Sequence, residues 1–188
     1  MTVIPEDRLS GELQPGERLL WSGRGDPSVV FARSDVFLIP FSLLWGGFAI
    51  FWTAQAAASG APPFFLVFGG LFCLIGLFFI VGRFFVKAHR KRTTTYAITD
   101  RRALSSDGRS TRQTRLPGPD HTVTWSSDRA HVSVVWNQPI AGGFFTGNRT
   151  PWPVNSGMDG LFGTPSPLGF YDVRDGAALV SALQAADR

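Results

Sequence analysis

Ten of the chain's eighteen Lys and Arg residues fall between Arg83 and Arg115, where only Asp100 and Asp107 oppose them. Guanidinium and ammonium groups at that density hold anionic oxygens well, arginine through a planar fork of N–H donors that matches phosphate. The flanking segments, 1–35 and 116–188, each carry four Arg against six acids, so the net charge of +4 arises in this one strip. Arg83, Lys87, Arg90, Lys91 and Arg92 follow directly on a long uncharged stretch. These five are expected at the headgroup level of a lipid surface, with Arg101 and Arg102, further out, as phosphate contacts. A nucleic-acid binder spreads its basic residues over a folded face with aromatics interleaved, so no nucleic-acid partner is expected.

Other chemistry has little to stand on. Cys73 is the only cysteine and lies within apolar sequence, which excludes a disulfide or a cysteine metal site. His89, His121 and His131 have no metal-ligand spacing, and Gly142-Gly143 and Gly160 do not sit in a strand-to-helix phosphate loop. No metal or other cofactor is expected. Asp159 is the only carboxylate between Asp128 and Asp172, too few to converge on a catalytic pocket. The sequence therefore favours a binding module over an enzyme; the alternative is a membrane-bound enzyme with its site in the Gly-, Pro- and aromatic-rich stretch 138–168.

The elements that must position the basic strip begin with residues 36–82, which contain no Asp, Glu, Lys or Arg. Ser59-Gly60-Ala61-Pro62-Pro63 divides this stretch into halves, each about the ~20 residues that cross a hydrocarbon core as a helix. A transmembrane hairpin over 36–86 follows, with helices at about 36–58 and 64–86. Ser42, Gly46, Ala49 and Thr53 recur on one face of the first helix, and Gly69, Cys73 and Gly76 on one face of the second. Small residues at that spacing let membrane helices approach closely, here helix on helix within the hairpin and alternatively between copies of the chain. No acid or base lies inside either helix, so an ion pathway is not expected. Basic residues crowd the end of the second helix and none lies in the link between the two, which predicts that both termini face the cytoplasm. The first residues contain acids and no apolar core of a secretory signal.

After the strip the hydrophobic period shortens to two. A strand over 94–99, a turn at 100–102 and a returning strand at 103–105 are predicted, with another turn at Asp107-Gly108. Residues 121–125 and 131–136 form a second hairpin, placing Val123, Trp125, Val132, Val134 and Trp136 on one face and His121 and His131 toward solvent. A short strand is expected over 17–21 and another near 143–145. The chain closes with a strand at 169–174 and a helix capped by Asp175, whose stripe is Ala178, Leu179, Ala182, Leu183 and Ala186. The predicted class is an α+β membrane protein in three parts: an N-terminal segment 1–35, the hairpin 36–86 and a β domain 87–188.

Gly16-Glu-Arg-Leu-Leu-Trp-Ser-Gly23 before the hairpin, Tyr96-Ala-Ile-Thr-Asp-Arg-Arg-Ala-Leu104 after it, and Leu168-Gly-Phe-Tyr-Asp-Val before the last helix form a recurring arrangement. In these residues the chain resembles the bacterial membrane proteins with a pleckstrin-homology-like (PH-like) domain. The resemblance implies an antiparallel β roll of two sheets closed by the C-terminal helix, in the bacterial inner membrane, and no enzyme activity. The expected function is a membrane-anchored binding or scaffold module that meets anionic lipid, a protein partner or a second copy of itself at the cytoplasmic surface.

Overall fold

The computed structural model describes residues 11–31, 35–118, 120–136, 155, 157 and 168–187. Their architecture is α+β: three helices and two small antiparallel sheets among the described residues. Helix α1, Asp35–Ala58, and helix α2, Pro63–Thr93, are both long and apolar enough to cross a membrane. Pro40 sits early in α1, where a fixed φ and a missing N–H are tolerated. The helix ends where Gly60 turns left-handed at φ +66°. There the amide of Gly60 donates to the carbonyl of Ala57 (3.2 Å) and that of Ala61 to Ala56 (3.0 Å), the paired bonds of a glycine-terminated helix. Pro63 then opens α2 at a position that needs no amide.

The two helices meet along their small residues. A Cβ on Gly76 would stand 3.0 Å from the Cα of Gly46, and one on Gly69 would stand 2.3 Å from Thr53 Oγ1. Ser42 and Ala49 are buried on the same side, and the Thr53 hydroxyl lies 3.6 Å from Cys73 Sγ. Near its middle α2 widens into a π turn, Phe78–Gly82, a one-residue insertion that sequence periodicity does not reveal. It then continues α-helical to Thr93, seven residues beyond the expected end at 86. Arg90, Lys91 and Arg92 occupy its last turn, where cations oppose the negative end of the helix dipole.

Sheet one has the order β1 (Leu19–Gly23), β2 (Thr95–Thr99), β3 (Arg102–Ser106), β4 (Thr111–Arg115), all antiparallel. Sheet two consists of β5 (His121–Trp125), β6 (Val132–Trp136) and β7 (Gly169–Val173). The expected hairpin pairs Trp125 with Val132 and His121 with Trp136. Two features depart from expectation. The N-terminal segment is not a separate part, because β1 pairs with β2 across the whole helical hairpin and supplies the edge of the sheet. Strand β4, Thr-Arg-Gln-Thr-Arg, was not anticipated because it offers no apolar alternation. The strand expected near 143–145 lies outside the described residues.

Between the sheets Phe170 of β7 collects the aromatic core: its ring lies 4.7 Å from Tyr96, 4.9 Å from Trp136 and 6.1 Å from Trp21. Offset and edge-on rings at such distances add to the burial of their large apolar area. Helix α3, Gly176–Ala186, lays Leu179, Ala182, Leu183 and Ala186 into this core against β1 and β2. After β1 the chain crosses to the second sheet, where Gly25 bridges Val173 and the Asp26 amide donates to the Asp172 carbonyl (2.8 Å). A Cβ at Gly25 would lie 2.5 Å from the Tyr171 carbonyl oxygen, so only glycine fits this crossing.

Candidate functional site

The helix end, the linker before α1 and β7 meet in a seam of buried charge. Arg83, Lys87 and Lys91 stand one helical turn apart on one face of α2. They are 1%, 3% and 3% exposed. Arg83 Nη1 donates to Asp35 Oδ1 (2.5 Å), at the first residue of α1, and its guanidinium carbon lies 4.4 Å from the centre of the Phe84 ring. Lys87 Nζ donates to the Val30 carbonyl (2.8 Å) and lies 3.8 Å from Asp35 Oδ2. Lys91 Nζ donates to the Val29 carbonyl (2.6 Å) and to Asp172 Oδ2 (2.5 Å), which also accepts from Asn155 Nδ2 (2.8 Å). Asp172 reaches this position from a left-handed backbone, φ +52°, a conformation that costs a non-glycine residue energy and marks a constrained site. The expectation that these three cations meet lipid headgroups is therefore corrected. They face the protein because a buried charge needs a partner, and Asp35 and Asp172 supply two.

Arg102 is corrected in the same way. Its Nε donates to Glu17 Oε1 (2.7 Å) and its Nη2 to Glu17 Oε2 (2.8 Å), a two-pronged pair whose carboxylate also accepts from the Thr99 hydroxyl and the Gln14 amide. The Arg102 guanidinium, ahead of burial that opposes it, pulls Glu17 down to about 2. Arg102 clasps β1's approach to the β2–β3 turn and is not poised over a bilayer. Arg90, Arg92 and Arg101 are on the exposed surface.

His131 is also placed differently from expectation. It precedes β6 and sets Nε2 2.9 Å from Asp26 Oδ2, the same oxygen to which Arg174 Nε donates (2.6 Å). Burial would raise the Asp26 carboxyl, but donations from the Ser28 amide and hydroxyl, His131 and Arg174 hold it well below the usual carboxylate range. The cluster ties the linker to the second sheet, and its paired, saturated carboxylate has no free lone pair directed at a substrate.

Beside the seam lies a cleft of about 570 Å³ between the last turns of α2 and the β3–β4 edge. Lys87, Arg90 and Lys91 line it from the helix, and Arg109 and Arg112 from the sheet. Arg112 stands opposite Ser105, which stands opposite Tyr96, so these three form one row across β4, β3 and β2. Asp107 is the one acid along the wall among the described residues. Its carboxylate caps its own turn, accepting from the amides of Arg109 and Ser110 (both 2.8 Å), which hold it below its ordinary value. The cations of the strip were legible in the sequence; the carboxylates that pair with Arg83, Lys87, Lys91 and Arg102, and the cleft that Arg109 and Arg112 line, were not. The one-turn spacing of 83, 87 and 91 was the signal that these three share a face.

No protein-family model matches the chain, no curated protein matches it, and no solved structure matches it.

Proposed function

We propose that this chain is an integral protein of the bacterial inner membrane, whose hairpin crosses the bilayer twice and holds a PH-like β roll at the cytoplasmic surface as a binding module for anionic lipid. The surface of the hairpin carries this reading. Only 22% and 11% of the most apolar stretches of α1 and α2 are buried within the protein. Val36, Phe37, Leu44, Phe64 and Val67 are each more than two-thirds exposed. In water that much contiguous apolar area is strongly unfavourable, while in hydrocarbon it is the lipid-facing surface. The β1–β2 pairing supports a common side for the N-terminal segment and the β domain, since paired strands cannot lie on opposite sides of a membrane. The crowding of Lys and Arg beyond Gly82 supports the cytoplasm as that side. Two small sheets around one core, with α3 laid into it, support the roll that the sequence resemblance implies.

The test replaces Cys73 with Ala and places single cysteines at Ser59, in the hairpin link, and Ser181, on α3's exposed side. In intact cells a membrane-impermeant thiol reagent is expected to label the first and reach the second only after permeabilisation. Labelling in the reverse pattern overturns the orientation, and release of the chain from membranes by alkaline carbonate overturns the spanning hairpin.

A further inference from the structure

We propose that the linker before α1 makes a third apolar contact with the leaflet on the β-domain side, where Phe31 lies among lipid acyl chains beside Phe84 and Phe85 of α2. The inference rests on the membrane reading of the hairpin for its solvent and on the course of the linker for its geometry.

A lysine or arginine at the end of a membrane helix ordinarily extends its charge to the headgroups along an apolar stem. The end of α2 does the reverse. Between Val81 and Ala88 its polar side chains are Arg83 and Lys87, and both are buried within the protein. The surface of that stretch is apolar: Val81 is exposed and Phe85 is more than two-thirds exposed, while exposed polar side chains begin only at His89 and Arg90. The lipid-facing surface of α2 therefore continues past its first charge and reaches Phe85.

The linker runs down this same stretch. The Val29 carbonyl accepts from Lys91 Nζ (2.6 Å) and the Val30 carbonyl from Lys87 Nζ (2.8 Å), so successive linker residues are held by successive turns of the helix. Phe31, next in line, meets Phe84, with ring centres 5.6 Å apart and planes at 63°. Such an edge-on contact occupies one side of a ring, and Phe31 is still more than two-thirds exposed. At this height its surroundings are the hydrocarbon that also meets Val36 and Phe37 at the start of α1, both strongly exposed.

The contact has a chemical consequence. The Phe84 ring touches Phe31 and also stands 4.4 Å from the Arg83 guanidinium carbon. An aromatic cover backed by acyl chains keeps water from the Arg83–Asp35 pair and strengthens the attraction between them. Because the same linker joins the second sheet at Gly25 and Asp26, its hold on the leaflet also sets the height at which the roll is carried.

The test uses the full-length chain in phosphatidylcholine vesicles whose lipid carries a diazirine within the acyl chain. After illumination and cleavage by trypsin, lipid adducts are assigned by mass spectrometry to the peptides 34–83, which holds most of the hairpin, 25–33, which holds Phe31, and 175–188, which holds α3. Adducts are expected on the first two, with 175–188 at background. Phe31→Ser is expected to bring 25–33 down to that background and to leave 34–83 unchanged. Adducts on 34–83 with none on 25–33 overturn the linker contact and leave the membrane reading standing. Absence of adducts from both overturns the membrane reading and the contact with it. Equal adducts on 175–188 would mean indiscriminate labelling by adsorbed lipid and overturn the contact, as would undiminished labelling of 25–33 in the Phe31→Ser chain.

Discussion

Glu17 shows how much a single side chain holds at the edge of the first sheet. Both of its carboxylate oxygens are taken by Arg102, and Thr99 and Gln14 complete its shell. Glu17→Gln keeps the shape and leaves the Arg102 charge half-buried without its counter-ion, so thermal or denaturant unfolding is expected to show a loss of about 3 kcal/mol. The same pair sets a pH dependence. The carboxyl titrates near 2 in the folded chain against an ordinary 4.5, so its contribution is complete above about pH 5 and is lost as the pH falls from about 4.5 toward 2. The Glu17→Gln chain is expected to show a flatter stability profile over that window. In the seam, Arg83→Gln takes away the cation closest to Asp35 and leaves Lys87 at 3.8 Å, and is expected to cost about 3 kcal/mol, read as a fall in the melting midpoint of the purified chain. At this scale the sequence announced the cations and concealed their destinations. The partners Asp35 and Asp172 lie 48 and 81 residues from Arg83 and Lys91, and no local pattern connects them.

Elements were more readable where one face alone is apolar. The β5–β6 hairpin and α3 follow directly from alternation and helical spacing, and β2 with β3 from a polar turn between two β-rich runs. Strand β4 was silent because both of its faces are polar and its place is fixed by pairing with β3. The helical hairpin was readable from its lack of charge, and its contact from its small residues. Neighbouring glycines separate these two properties. Gly69→Ala drives a methyl into Thr53 and is expected to part the helices and lower the melting midpoint. Gly70→Ala meets nothing within 4 Å and is expected to be neutral or to stabilise by up to about 1 kcal/mol, since alanine is the better helix former. Equal midpoints for the two variants would show that the glycine contact is not close. On α3, Leu183 is 2% exposed, and Leu183→Asp is expected to cost several kcal/mol by placing a carboxylate in the aromatic core. The measurement is loss of the cooperative near-ultraviolet transition.

At the scale of the molecule, the β domain is one folded unit assembled from two distant pieces of chain. Residues 93–188 alone lack β1 and the crossing at Gly25, so a fragment beginning there is expected to expose β2 and to be cut readily by protease, and adding 11–31 in trans to slow the cleavage. The pairing of Leu19 with Thr99 also carries a consequence for biosynthesis. The first strand leaves the ribosome long before its neighbour, and both helices of the hairpin emerge in between. In a membrane, the strand can find β2 only if the chain has crossed and returned. A hairpin that inserts one helix and not the other would strand the two halves of the sheet in different compartments, with a bare β edge and an unmatched Glu17 on each failed copy. On the proposed membrane reading, closure of the sheet would certify the insertion that preceded it, and a protease that recognises open strand edges would remove only the chains whose hairpin went wrong.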